Sequence, residues 1–178
     1  DITKEPAEDY HMWIQLLPLG KLYNLPDVLL EYRVYSNQVS RKRAEEQKKS
    51  DIAAKFKLLQ YLNLEWTPIE REFLERQFGK TEIIAFKDLH IFKQIQLKLA
   101  KANESIQFFE LHLFSQYLID LEEDVLRKCF LKQKRYSPTM YFEYVIAKFK
   151  WNVQLSKKKE LKLVLKSLIF WETQRKKH

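Results

Sequence analysis

The chain has 178 residues, a formal net charge of +8 and 46% hydrophobic residues, enough for one or two compact units with a real core and too apolar for a disordered tail. Two glycines and five prolines disfavour Gly-rich phosphate loops and turn-dense β architectures, and the single cysteine, Cys129, excludes an intramolecular disulfide. No apolar stretch nears the ~18–20 residues that span a bilayer, and the opening Asp1-Ile2-Thr3-Lys4-Glu5 has no apolar signal core.

In chain order, residues 9–17 read as a short helix with Trp13, Leu16 and Leu17 on one side. Pro18 and Gly20 break it. Residues 21–24 and 28–34 read as short strands around a Pro26-Asp27 turn, and 36–40 as a loop. Residues 41–50 are rich in charge, and from there the period becomes helical. A stretch over 42–62 offers Ala53, Ala54, Phe56, Leu58, Leu59 and Leu62 as apolar positions. Thr67-Pro68-Ile69-Glu70 predicts a capped helix start, with Gly79 as its stop. A helix over 88–102 has Ile91, Ile95, Leu97 and Leu99 as core candidates, and 103–105 interrupts it. A long helix follows from 106 to about 132. Ser137-Pro138 starts another, through Tyr141, Tyr144, Val145 and Phe149, and a last helix covers roughly 158–174. Cys129 falls within a helix and reads as a partly buried structural thiol.

The charge is concentrated. From Val145 onward ten basic residues face two acidic ones, so this tail carries the whole surplus. Leu161, Val164, Leu165, Leu168, Ile169 and Trp171 recur at helical spacing among Lys157, Lys158, Lys159, Lys162 and Lys166. Such a basic amphipathic helix suits an anionic membrane surface, or a terminal helix packed on its neighbours with a solvated lysine face. No nucleic-acid recognition motif accompanies it, and nucleic acid is not expected as a partner. Asp120-Leu121-Glu122-Glu123-Asp124 reads as a solvated helix face. The four histidines are scattered without a zinc pattern, and His90 and His112 read as satisfied structural residues.

One string carries more. Ala7-Glu8-Asp9-Tyr10, then Trp13, then Asn24-Leu25-Pro26-Asp27-Val28-Leu29-Leu30-Glu31-Tyr32-Arg33-Val34 resembles the end of the catalytic domain of family 2 glycosyltransferases, inverting enzymes with a GT-A fold. The resemblance covers about the first quarter of the chain. It implies inverting transfer of a sugar from a nucleotide sugar to a glycan or lipid-linked acceptor, as in bacterial polysaccharide synthesis. Asp9 is then the general base, taking the proton of the attacking hydroxyl. Glu8 positions it, and Arg33 and Trp13 are substrate-binding candidates; Arg33 serves equally well as a structural ion-pair partner and Trp13 as a core residue. Two positions depart from the pattern: Gln15 stands where many relatives have Arg or Lys, and Tyr35 where many have His. The Asp-x-Asp metal motif and the nucleotide-binding strands are absent, so no metal ligand is assigned here. Mg or Mn belongs to the expected parent protein, and this chain alone is expected to be inactive.

The resulting expectation is a mainly α chain with a small β element. Residues 1–41 are the C-terminal remnant of a GT-A α/β domain, and 42–178 a helical, bundle-like extension with a basic tail. The missing initiator methionine and the resemblance together suggest a segment of a longer polypeptide, cytoplasmic and peripheral to a membrane. The competing reading is a helical protein- or membrane-interaction module without catalysis.

Overall fold

The computed structural model describes residues 8–31, 44–79 and 83–172. They are mainly helical, with seven α-helices: α1 (Glu8–Leu16), α2 (Ala44–Gln60), α3 (Pro68–Phe78), α4 (Leu89–Ile106), α5 (Leu111–Phe130), α6 (Pro138–Trp151) and α7 (Lys157–Leu168). A 3₁₀ turn, Leu17–Leu19, extends α1, and a second, Phe86–Asp88, leads into α4.

The start of α3 follows from its sequence. Thr67 Oγ1 accepts the Glu70 N–H at 3.3 Å, and a Glu70 carboxylate oxygen accepts the Thr67 N–H at 2.9 Å, a reciprocal capping box with Pro68 in the first turn. Gly79 closes α3, but at φ −71°, so the left-handed freedom of glycine is not used. A Cβ there would come within 3.0 Å of Cε of the flexible Lys48 side chain on α2 and 3.2 Å of the Glu75 carbonyl oxygen, a tight fit.

Helix α4 is the hub, packed on α3, α5 and α6. Its Ile91, Ile95 and Leu99 are buried with Leu89 and Phe92, while Leu97, expected in the core, points out. Nor does α4 stop at 103; it runs to Ile106, and Asn103 lies buried inside it. The Asn103 side chain donates to the Phe109 carbonyl at 3.0 Å and accepts the Phe109 N–H at 2.8 Å. This amide pairs the loop backbone that the turn at Gln107, with φ 53°, would otherwise leave unsatisfied. The chain break therefore falls at 107–110, and Glu110 caps α5 by accepting the His112 and Leu113 N–H groups.

Three further expectations are corrected. No strand forms among the described residues; 21–31 is unpaired and non-helical, and 32–34 lies outside them. A strand needs a ladder partner, and the described chain supplies none to this segment. The acidic run in α5 is not simply a solvated face: Glu122 meets Lys93 of α4 at 2.6 Å and Glu123 meets Lys159 of α7 at 2.6 Å, two inter-helix clamps, while Asp124 pairs with Lys128 and Arg127 along α5 itself and Asp120 stays exposed. Lastly, α7 ends at Leu168 and is turned over. Leu163 and Ser167 are buried, whereas Leu161, Leu165, Leu168 and Ile169 face solvent, as does Phe149 of α6. The chain then reverses at Phe170, with φ 49°, and Trp171 and Glu172 pair with the loop before α6.

The turn between α6 and α7 is organised by Tyr144, which is fully buried. Its hydroxyl donates to Glu160 and accepts the Leu155 N–H, both at 3.2 Å, and Lys148 completes the set by pairing with Glu160. Burial pushes the Tyr144 phenol up to about 12. Cys129 is buried as expected, and burial, with Glu143 and Asp88 nearby, raises its thiol to about 12, so it is an inert packing residue.

Candidate functional site

Helix α1 lies on α2 through His11 and Ile14, the residues of its buried side. Ser50 Oγ approaches His11 Nε2 at 3.4 Å, and the Tyr61 hydroxyl donates to the Ile14 carbonyl at 3.2 Å. Trp13 and Leu16, expected on the apolar side, stand at the surface instead, with Trp13 about half exposed (47%). His11 takes the inward position because it is three residues from Ile14, whereas Trp13 is adjacent to it and so points about 100° away.

Of the four residues singled out by the resemblance, Glu8 opens α1 and Asp9 follows in its first turn, exposed. Asp9 Oδ1 accepts the Tyr10 N–H at 2.7 Å, and the helix N-terminus favours its negative charge. Trp13 is one turn further along α1. Arg33 lies outside the described residues. The structure thus keeps Glu8, Asp9 and Trp13 on one short helix.

Sequence reasoning missed what lies beside that helix. A cavity of about 680 Å³ opens between α1, α2, α3, α4 and α5. Its floor is the buried core face of Phe73, Leu74, Phe92, Ile95, Leu99 and Val125. Leu58 and Leu59 of α2 form one wall, and Phe114 and Leu121 of α5 another. Tyr10, the residue after Asp9, lines the same space, as does Tyr117 of α5. Burial foremost, then the charges of Asp51 and Tyr117, raise the Tyr10 phenol above its ordinary value. Tyr117 is raised by burial alone.

An aromatic series borders the cavity. Tyr61 stacks on Phe108 at 4.5 Å between ring centres, Phe108 meets Phe109 edge-on, Phe109 stacks on Phe114 at 4.9 Å, and Phe114 continues to Tyr117. The Asn103 amide fixes the loop that carries the two central rings. No periodicity signals such a feature, because Tyr61 lies far in sequence from Phe108, Phe109, Phe114 and Tyr117, and those four span a loop and a helix.

Among the described residues no three His, Cys, Asp or Glu side chains come together as a metal-binding group. His90 is satisfied at the surface, with Nδ1 at 2.6 Å from the Lys87 carbonyl. No helix among the described residues is long and apolar enough to cross a membrane.

Comparison with protein-family models, with curated proteins and with solved structures finds no match. The likeness to family 2 glycosyltransferases therefore stands on the residues of the first thirty-five positions alone.

Proposed function

We propose that this chain is the acceptor-side, C-terminal part of an inverting glycosyltransferase of the family 2 type, with Asp9 as general base, Glu8 beside it, and Trp13 and Arg33 as substrate-binding groups. The observation that supports this best is the apolar run following the Asp9 helix. Leu19, Tyr23, Leu29 and Leu30 are each at least 72% exposed and Val28 is 92% exposed. So many exposed apolar side chains in one short run are costly in water and support a segment made to be covered. In the resembled family the equivalent stretch is a strand of the catalytic domain, and a sheet edge would supply both the cover and the missing hydrogen bonds.

In the reaction, the acceptor hydroxyl attacks the anomeric carbon on the face opposite the nucleotide. Asp9 takes the hydroxyl proton as the new C–O bond forms, and the nucleotide departs with the electron pair of the bond it breaks. The test is Asp9→Asn in a polypeptide that also carries the nucleotide-binding strands: sugar transfer is lost with helix content unchanged. Retained turnover overturns the reading, as does any turnover by the present 178 residues alone with a nucleotide sugar.

A second reading rests on a different observation. Helix α7 turns Leu161, Leu165 and Leu168 to solvent together with Lys158 and Lys162, and α6 exposes Phe142, Ile146 and Phe149. A leucine–lysine face of this kind fits the boundary of an anionic bilayer, the leucines entering the acyl region and the lysines meeting the head groups. Co-sedimentation with vesicles containing anionic lipid, lost with purely zwitterionic vesicles and with the Lys158→Glu/Lys162→Glu pair, supports it. Equal binding to both vesicle types sinks it.

A further inference from the structure

The cavity beside α1 has the size of a ligand site, about 680 Å³, and is lined almost wholly by carbon. Protein interiors hold few voids larger than a water molecule, because lining atoms without neighbours forfeit dispersion contacts. This space stays open because five helices and a pinned loop frame it rather than close on it. Its chemistry selects the occupant. Lys55 is paired with Asp51 at 2.7 Å and Lys128 with Asp124 at 2.8 Å, so the two cations at its edge are already neutralised. Glu110 is engaged by two backbone N–H groups, and Gln96 bonds the Leu118 carbonyl at 3.0 Å and Lys93 at 2.6 Å. A phosphate or nucleotide finds both lining cations already paired and the Glu110 carboxylate opposing it, and a sugar finds few groups to pair its hydroxyls. What remains is apolar surface, with the Gln77 amide and two phenols, Tyr10 and Tyr117, as its polar groups.

We propose that this cavity binds a single hydrocarbon chain, the apolar part of an uncharged amphiphile whose polar end lies at Tyr10 and Tyr117. The site stands on its own geometry whether or not Asp9 is a base; where both hold, the acceptor is such an amphiphile, with its polar end brought next to Asp9.

The test uses the full chain and laurdan, an uncharged probe with a twelve-carbon acyl chain. Saturable one-to-one binding with a blue-shifted emission is expected. Uncharged 1-monoacylglycerols should displace the probe, roughly fourfold more tightly per added methylene, until the cavity is full and the gain stops. Leu121→Trp fills the α5 wall and should weaken binding roughly tenfold, while Ile119→Trp, on the exposed side of the same helix, leaves it unchanged. Leu58→Trp gives the same readout from the α2 wall should the first variant fail to fold. Supplying the probe free or embedded in zwitterionic vesicles separates a soluble amphiphile from a membrane lipid as the source of the chain, and uptake from either supports the site. Absence of saturable binding, affinity rising with chain length without a plateau, or cavity-filling variants that fold and bind as before overturns it. Because binding is read without sugar transfer, its failure is distinct from failure of the transferase reading.

Discussion

Helices α4 and α7 are both amphipathic by sequence, yet they meet the rest of the molecule in opposite ways. In α4 the apolar stripe Ile91, Ile95 and Leu99 is the buried one. In α7 the stripe Leu161, Leu165 and Leu168 is the exposed one; the helix buries Leu163 and the small Ser167 and is tied by two salt bridges, Lys159–Glu123 and Lys148–Glu160. Three core contacts in a row decide the orientation of α4. In α7 one buried leucine and a charged network decide it, which leaves a greasy face for another partner. Periodicity identifies a helix; it does not say which side has something to lie against.

This contrast can be broken at several points. The largest effect is expected from the inward residues: Ile95→Ala and Leu163→Ala should each cost about 2–5 kcal/mol, read as a lowered urea midpoint. If Leu163→Ala is silent while Leu165→Ala is costly, α7 is oriented the other way round.

Next comes the Tyr144 network. Tyr144→Phe leaves the Leu155 N–H buried without its acceptor and should cost about 1–3 kcal/mol. It should also change the alkaline limb of stability. The phenol is raised to about 12 in the folded state, so its contribution is complete below the ordinary tyrosine value near pH 10 and is lost as pH rises toward 12. The variant should lose that part of the alkaline decline, seen in urea midpoints from pH 9 to 11.5.

Glu70 sharpens the comparison from the acid side. Burial alone raises its carboxyl, but hydrogen bonds from Lys98, at 2.7 Å, and from Thr67 outweigh burial and hold it below its ordinary value. Its contribution is therefore present above the unfolded carboxylate value and lost as pH falls through the lower folded one. Glu70→Gln should flatten the acid limb of stability as pH falls below about 5. The smallest effect belongs to the exposed face: Leu161→Ala, Leu165→Ala and Lys162→Glu should each stay within about 0.5 kcal/mol of the parent. If these outward residues prove costly in the isolated chain, the face is covered within this molecule and the membrane reading fails.

Much of the helical order was legible from local chemistry. The Thr67–Glu70 capping box and the stop at Gly79 appear where the residues placed them, because capping depends on neighbours a few positions away; the start at Pro138 is also in place, although the Ser137 side chain makes no cap hydrogen bond and Pro138 alone marks the first turn. The interruption expected at 103–105 was misplaced because Asn103 reads as a helix breaker by composition, and only its bonds to Phe109 turn it into a buried lock at the helix end. The strands expected in 21–31 failed for the opposite reason: β composition is present, and no described partner is there to pair with it. Of the candidate site, Asp9 and its helix were readable as a motif, whereas Tyr10, Tyr117 and the cavity were not.

What the sequence determined by itself was local: the capped start and the stop of α3, the presence and order of the helices, and where the positive charge accumulates. The tertiary structure alone decided which face of α7 looks inward, that the acidic run of α5 clamps two neighbouring helices, and that five helices enclose an open apolar space. The physical reason is range. Caps and turns are settled within a few residues by hydrogen bonds the chain makes with itself. A helix face, an ion-pair partner or a cavity wall takes its meaning from residues many positions away, and exists only once the chain has brought them together.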